Sequence, residues 1–390
     1  MRIGILTFHK PINYGAFLQA FSLSQRLKKE FQGAEIEIID YIAPKEKRQI
    51  YINILRDFKH SGISGGIQSI KKYFVFRKAQ KYLPLSDKYL CTDKLETLYS
   101  YIKERYDCLV IGSDAVFNWN QTRFPTAFIP DFDFGIPVFT YAASVHGLKY
   151  YDVNSKMIEK CRSAFEKMSF VGVRDACTQN FIKFCSPQTE PHFCCDPTLF
   201  IDCDSIKSHA GDYSTRIRKK YNFSFDKKYI VFMAPDSALT ESIAKKYKKD
   251  YTIISLFKKS KYSDIFMYDL DPFEWAMILR GAEATVTNYF HGTLLSLVQN
   301  TPTVVLDYSG YDNKYQGKLD DLMNTRFALS EFYFTKKFAC NFTEGNNFFE
   351  IFENMLQGTY TERIKKGKAN LQKSAEDFVL ELKSKLEYNS

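Results

Sequence analysis

An imidazole, a flexible glycine and a hydroxyl lie side by side at His291, Gly292 and Thr293, in the stretch AEATVTNYFHGTLLSL that runs from Ala282 to Leu297. Ala284 to Thr287 is a short β-prone run, Asn288 to Thr293 interrupts it, and Leu294, Leu295, Leu297 and Val298 resume at helical spacing. The pattern predicts strand, tight turn and helix start, with His291 near a helix N-terminus. Unsatisfied N–H groups and the positive end of the helix dipole meet at such a place, which suits a phosphate or a carboxylate. The same residues also fit an ordinary βα turn whose histidine makes one local hydrogen bond.

Four further turns carry groups able to do chemistry, each after an apolar run. Asn13, Tyr14, Gly15 and Gln19 follow RIGILT; Gly112, Ser113 and Asp114 follow YDCLVIG; His146 and Gly147 follow PVFTYAAS; Arg174 and Asp175 follow Val171 to Val173. Asp114 has the character of a sugar-hydroxyl ligand, an acid or a base, or else a helix cap. Arg174 suits phosphate or carboxylate, because guanidinium keeps its charge and binds two oxygens at once. The first turn lacks a Gly-x-Gly-x-x-Gly fingerprint, so no dinucleotide is inferred from it.

The elements that must position these turns alternate between strand and helix. Strands are expected at 2–7, 34–41, 106–112 and 137–144, with a further strand ending near Val173, then at 228–234, 251–257, 284–287 and 302–306. Helices are expected at 17–31, 237–248, 272–280 and 293–299. Alternation of this kind predicts α/β units around parallel sheets, with ligands at the carboxyl ends of the strands. Ser205 to Lys220 reads as a polar, basic linker between two halves, and 361–388 as a long polar helix with the makings of an element that packs back across the domains.

At 390 residues the chain fits two domains of ordinary size, which creates a cleft. With 45% hydrophobic and 25% charged residues it has a globular composition. No signal-peptide pattern and no bilayer-spanning apolar run is expected, and the nine cysteines show no repeated Cys-x-x-Cys spacing, which indicates reduced thiols and a cytoplasmic protein. His192, Cys194, Cys195 and Cys203 form the one cluster with metal-ligand chemistry. Adjacent cysteines point apart on a strand, so no dedicated metal site is expected.

Charge is concentrated between Lys45 and Lys81, where seven lysines and three arginines stand against Glu46 and Asp57, a net +8 of the chain's +9. Within it, SGISGG (61–66) reads as a hinge or loop and 67–82 as a basic amphipathic helix with Tyr73, Phe74 and Phe76. A membrane-facing flap has this composition, and so does a helix whose aromatic side packs on the core while its lysines face water. No nucleic-acid-binding motif accompanies the charge, and no nucleic-acid partner is expected.

Four landmarks, taken in order, resemble the polysaccharide pyruvyl transferase family: NYGAFLQAFSL from Asn13, DCLVIGSDAVFNWN from Asp107, VGVRDACTQNF from Val171 with CDPTLF from Cys195, and TNYFHGTLLSLVQNTP from Thr287. The sequence departs from the usual pattern at Ala115 and Phe117, where glutamine and tryptophan are common, and at Asn288-Tyr289, before the histidine. The resemblance implies two Rossmann-like domains facing across a cleft, as in GT-B glycosyltransferases. It places an acceptor-side domain at 1–204, with a basic insertion at 44–84, and a donor-side domain with a C-terminal helix at 205–390. It further implies phosphoenolpyruvate as donor substrate, no other cofactor, and pyruvyl transfer to a sugar of a bacterial capsule, exopolysaccharide or lipid-linked precursor as a cyclic ketal.

On this reading His291, Arg174 and Asp114 are the catalytic candidates. Arg174, Asn288, His291, Gly292 and Thr293 bind the donor, and Asn13, Tyr14, Gly15, Gln19, Ser113, Asp114 and His146 the acceptor. The basic stretch from Lys45 to Lys81 further suggests peripheral docking on the inner membrane face, where lipid-linked acceptors carry diphosphate. The alternatives are a GT-B-like glycosyltransferase using a nucleotide sugar, with Glu274 or Asp271 as ribose carboxylate, and a non-catalytic homologue that kept the fold.

Overall fold

The first apolar run forms strand β1 (Arg2–Leu6), and the chain turns directly into helix α1 (Tyr14–Glu30), capped by Asn13, whose side-chain oxygen accepts from the Ala16 N–H at 3.1 Å. In this computed structural model, which describes residues 1–122, 124–309, 317–345 and 347–387, the chain divides into two compact units. One comprises Met1–Phe200 and the segment from Leu371 onward; the other is Ile201–Asn370.

In the first unit β1 joins β2 (Glu35–Ile38), β3 (Cys108–Asp114), β4 (Val138–Ala143), β5 (Phe170–Val173) and β6 (Pro191–Phe193) in one parallel sheet, ordered β2-β1-β3-β4-β5-β6. Its central strands are buried end to end, as near-continuous apolar runs in a parallel sheet must be. The strand order reverses between β1 and β3, so the crevice outside their carboxyl ends is the natural ligand position.

Between β2 and β3 the basic insertion folds as a helical hairpin. Helix α2 (Pro44–Ala79) is broken at Gly62, whose φ of 66° and ψ of −169° reverse the chain. The two arms then run against each other: Ser69 Oγ donates to Asp57 at 2.5 Å, the Phe58 ring covers Gly66, and the Tyr51 and Tyr73 rings lie 6.2 Å apart. The expected hinge is therefore a sharp helical reversal. Phe76 anchors the hairpin on α1, its ring 5.9 Å from Phe17 and 5.8 Å from Tyr14.

The second unit opens where a linker was expected, but 205–220 is helical. Asp202 caps α3 (Cys203–Ala210) and Asp212 caps α4 (Tyr213–Tyr221). Arg216 then clamps Glu274 through two bonds of 2.5 Å, so α4 is fastened to its unit rather than strung between units. Six parallel strands follow: β7 (Tyr229–Met233), β8 (Thr252–Leu256), β9 (Ile265–Met267), β10 (Ala284–Thr287), β11 (Thr303–Asp307) and β12 (Tyr333–Thr335), ordered β9-β8-β7-β10-β11-β12. This is the doubly wound dinucleotide-fold order, reversing between β7 and β10. Helices α5 (Pro272–Arg280) and α6 (Phe290–Val298) flank β10 in sequence. Both units are Rossmann-like.

The expected single C-terminal helix is two, α7 (Thr361–Lys373) and α8 (Glu376–Glu387); residue 388, its expected end, lies outside the described residues. From Leu371 the chain belongs to the first unit, not to the second as the domain division from sequence has it. The Phe378 ring packs 4.6 Å from Tyr141 and 5.8 Å from Phe170, and Lys383 pairs with Glu30 at 3.0 Å. Burying the apolar face of α8 on β4 and β5 accounts for the change of unit.

Candidate functional site

His291 stands in the first turn of α6, as expected, and the turn before it is laced across the switch point, the Asn288 N–H donating to Met233 O at 3.2 Å. Tyr289, at the N-cap, gives no side-chain cap to that turn. Gly292 is required for packing: a Cβ there would lie 2.8 Å from Met233 Cε and 2.9 Å from Thr287 Oγ1, so the helix end sits hard against both strands. Thr293 differs from its expected role as a donor ligand, because it is fully buried and its hydroxyl donates to Tyr289 O at 3.1 Å. Asn288 is half-buried, and its side-chain oxygen has no hydrogen-bond partner among the described residues.

The loop after β8 packs against this edge. Phe257, at φ 65°, brings its ring 5.5 Å from Tyr289, and Asp236 accepts from Ser260 Oγ at 2.5 Å and from the Lys261 N–H at 3.2 Å. The loop carrying Lys258, Lys259 and Lys261 is thus tied to the ends of β7 and β10. Lys318 adds an ammonium 5.3 Å from the Phe290 ring. A helix N-terminus, an imidazole, a carboxamide and the Lys318 ammonium suit a small anion.

The first unit presents the opposite electrostatics. Arg174, next after β5, is buried, with Nη1 3.1 Å from Asp196 and Nη2 3.8 Å from Asp114. Burial disfavours its charge, but Asp196, Asp114 and Asp175 outweigh that and raise its pKa, so it is a fixed cation among three carboxylates. Gln19 reaches over from α1 to donate to Asp196 at 2.5 Å, and Thr198 donates to the other Asp196 oxygen from its N–H (3.0 Å) and hydroxyl (2.6 Å). Asp175 accepts from Ser144 Oγ and from Thr178 Oγ1, both at 2.6 Å. This network differs from an open donor clamp: the Arg174 guanidinium faces carboxylates of its own unit.

Backbone strain collects along the same edge. Gly112, Asp114, Ala142, His146 and Gly147 all have positive φ, and the β4–β5 register shifts between Thr140 and Ala143. Such a cluster is a mark of a site whose side chains are re-aimed by the backbone. A Cβ at Gly112 would meet Tyr141 O at 2.3 Å, so only glycine fits there. Ser113 is buried beside it with a hydroxyl that has no partner among the described residues. His146 is half-exposed, held by its N–H on Ser144 Oγ at 3.1 Å.

The structure therefore brings Gln19, Ser113, Asp114, His146 and Arg174 to the carboxyl edge of one sheet, and adds Ser144, Asp175 and Asp196. The remaining candidates from the first turn have structural employment. Asn13 caps α1, Tyr14 is buried under Phe76 with Lys72 over its ring at 5.4 Å, and Gly15 is buried in the first helical turn. At the end of β1 the sequence reading missed His9, buried with Nε2 3.1 Å from Asp40, and Lys10, paired with the same oxygen. Burial lowers the Lys10 pKa, and the bonds from His9 and Lys10 hold Asp40 down against its own burial. The available signal was charge set directly against apolar strands. Among the described residues no group of three or more His, Cys, Asp or Glu side chains is arranged to hold a metal.

The family model described as polysaccharide pyruvyl transferase matches residues 13–310, which include the turns at Asn13, Asp114, Arg174 and His291. No curated protein is matched in sequence. Solved structures share the fold: the UDP-GlcNAc 2-epimerase of Neisseria meningitidis bound to UDP-GlcNAc has a TM-score of 0.60 at 8% identity, covering 98% of this chain and 100% of that one. S. aureus MnaA with UDP has a TM-score of 0.52 at 12% identity, covering 99% and 96%. A further UDP-N-acetylglucosamine 2-epimerase has a TM-score of 0.59 at 9% identity, covering 99% and 96%. At these identities the neighbours establish the GT-B-like fold alone, whereas the family model spans most of the sequence: the chain belongs to the polysaccharide pyruvyl transferase family.

Proposed function

We propose that the protein transfers the pyruvyl group of phosphoenolpyruvate to a sugar of a bacterial capsule, exopolysaccharide or lipid-linked precursor, acting in the cytoplasm and using no further cofactor. The observation that carries this is His291 in the first turn of a helix without a side-chain cap, at the switch point of its sheet, with the Lys318 ammonium 5.3 Å from the neighbouring Phe290 ring. Phosphoenolpyruvate is short and highly anionic, so it calls for such an edge rather than a long nucleotide groove. His291 gives a proton to the methylene carbon and leaves a cation-like centre at the adjoining carbon. One sugar hydroxyl attacks that centre and passes its proton to a base, which hands it to the phosphate as the carbon–oxygen bond to phosphate breaks. The second hydroxyl then adds to the same carbon and returns its proton to His291, closing the cyclic ketal.

The first unit suits the other substrate. An edge with one cation and three carboxylates repels phosphate but accepts the hydroxyl protons of a neutral sugar, with Asp114 as base and Ser113 and His146 beside it. Arg174 then serves by holding Asp114 and Asp196 in place, which revises its assignment as a donor clamp.

A second reading, a nucleotide-sugar glycosyltransferase, draws on the uridine nucleotides bound to the structural neighbours. Against it, both candidate ribose carboxylates are engaged: Glu274 by Arg216 on both oxygens, and Asp271 by the N–H groups of Phe273 and Glu274 at 2.8 Å each. The test is calorimetric titration with phosphoenolpyruvate and with a panel of nucleotide sugars, coupled to phosphate release with galactose-, mannose- and N-acetylhexosamine-bearing acceptors. Binding of phosphoenolpyruvate and acceptor-dependent phosphate release support the proposal. Binding of a nucleotide sugar alone favours the second reading, and phosphoenolpyruvate binding without any release indicates a non-catalytic homologue.

A further inference from the structure

The helical hairpin of α2 exposes apolar side chains in helical register. On its second arm Ile63, Ile67, Ile70 and Phe74 recur at spacings of four, three and four, which places them on one stripe. Ile63 is 76% exposed and Phe74 65%. On the first arm Ile52 and Leu55 continue a stripe begun by Arg48 and ended by Lys59, with Leu55 66% exposed. Core packing does not account for them, because the hairpin buries only Gly66, Phe76 and Ala79. Globular surfaces seldom leave such stripes uncovered without an occupant.

The charge around the stripes selects that occupant. Arg48, Arg56, Lys59, Lys71, Arg77 and Lys78 lie on the same two arms and are all exposed. A second copy docked on this face by a two-fold axis would set the hairpin's positive charge against itself, while a nucleic acid would leave isoleucines, leucine and phenylalanine unused. A lipid surface with anionic headgroups satisfies both features at once: the apolar stripes enter the headgroup boundary and the basic groups meet phosphate. No helix among the described residues is long and apolar enough to cross a membrane, so the contact is peripheral.

We infer that the hairpin at 44–79 is a membrane-docking element that seats the first unit on an anionic bilayer face by inserting Leu55, Ile63 and Phe74. This goes beyond the proposed reaction and does not depend on it. The experiment is co-sedimentation of the full chain with vesicles of phosphatidylcholine alone and with about one-third phosphatidylglycerol, at low and high salt. It compares wild type with Leu55→Asp/Ile63→Asp/Phe74→Asp and with Arg56→Glu/Lys59→Glu.

All these residues are exposed, and an unchanged thermal midpoint shows that the variants fold. The wild type is expected to bind the anionic vesicles at least about tenfold more tightly than neutral ones, and less so in salt. The apolar variant is expected to lose vesicle binding, and the charge variant to lose about fivefold or more per residue reversed. Equal binding to both vesicle types, or wild-type binding by the apolar variant, overturns the inference. Light scattering that shows a dimer abolished by the apolar variant, without vesicle binding, also overturns it, in favour of self-association. Retention on a nucleic acid but not on anionic vesicles overturns it equally.

Discussion

Arg174 and Asp114 face each other at the carboxyl edge of the first sheet, Nη2 to Oδ1 3.8 Å, and the same guanidinium reaches Asp196 at 3.1 Å. The pair makes Asp114 an oriented carboxylate at a backbone position, φ 79°, that few aspartates occupy. Arg174→Lys keeps the charge but loses the planar fork, so kcat is expected to fall by about tenfold or more while the KM for phosphoenolpyruvate stays within about threefold. A KM for phosphoenolpyruvate that rises as steeply as kcat falls would restore Arg174 to the donor site. Arg174→Ala leaves carboxylates buried without their cation and should cost about 3–5 kcal/mol in chemical denaturation.

His291→Ala removes the proposed acid. The loss expected in kcat is about 10²–10⁴-fold, with only a small shift of the thermal midpoint because the half-buried side chain stands at a helix end. Steady-state kinetics beside a melting curve separate this from a folding defect. Activity within a factor of about two of wild type would remove His291 from the chemistry.

Gly292→Ala and Gly112→Ala test backbone approach. At Gly292 a methyl group meets Met233 Cε and Thr287 Oγ1, and the flexible methionine can yield, so a loss of about 1–3 kcal/mol is expected. At Gly112 it meets a backbone carbonyl oxygen at 2.3 Å, and φ is 117°, so the loss should exceed about 3 kcal/mol. Urea unfolding of both variants checks the ranking, and a reversed order would mean that the edge of β3 is less tightly fixed than the geometry states.

Partial desolvation of the half-buried Glu46 carboxyl pushes it up to about 7, against a hydrogen bond with the Ala43 backbone that pulls it down. A carboxyl whose pKa is raised on folding stabilises the fold fully below its unfolded pKa, and that stabilisation is lost as pH rises through its folded one. Glu46→Gln should therefore be more stable than wild type at pH 8, by about 1–3 kcal/mol, and close to it at pH 4.5. Melting curves across that range decide, and a constant difference at every pH would mean that Glu46 titrates normally.

Much of this arrangement is legible in the sequence because buried parallel strands leave continuous apolar runs that end in glycine or small polar residues. YDCLVIG, PVFTYAAS and ATVT all become strands, and the groups named at their ends, Asp114, His146 and His291, lie at sheet edges. The elements that differ from the sequence pattern depend on contacts distant in sequence. The polar stretch 205–220 resembles a linker until Arg216 meets Glu274, although Asp202 and Asp212 had the character of caps. Residues 361–388 read as one helix, and only the burial of Phe378 against Tyr141 shows why the chain breaks near Ser374. Asp196, within CDPTLF, has no local signal, because its importance comes from Gln19 and Arg174, which lie 177 and 22 residues away.

The measurement closest to the central claim is nuclear magnetic resonance of an acceptor sugar after incubation with phosphoenolpyruvate isotopically labelled at its enol carbon. Pyruvyl transfer predicts a new quaternary ketal carbon correlated with two sugar positions, phosphate in equal amount, and neither with the His291→Ala protein. Labelled phosphoenolpyruvate left intact across the acceptor panel, while a nucleotide sugar is consumed under the same conditions, would contradict the account.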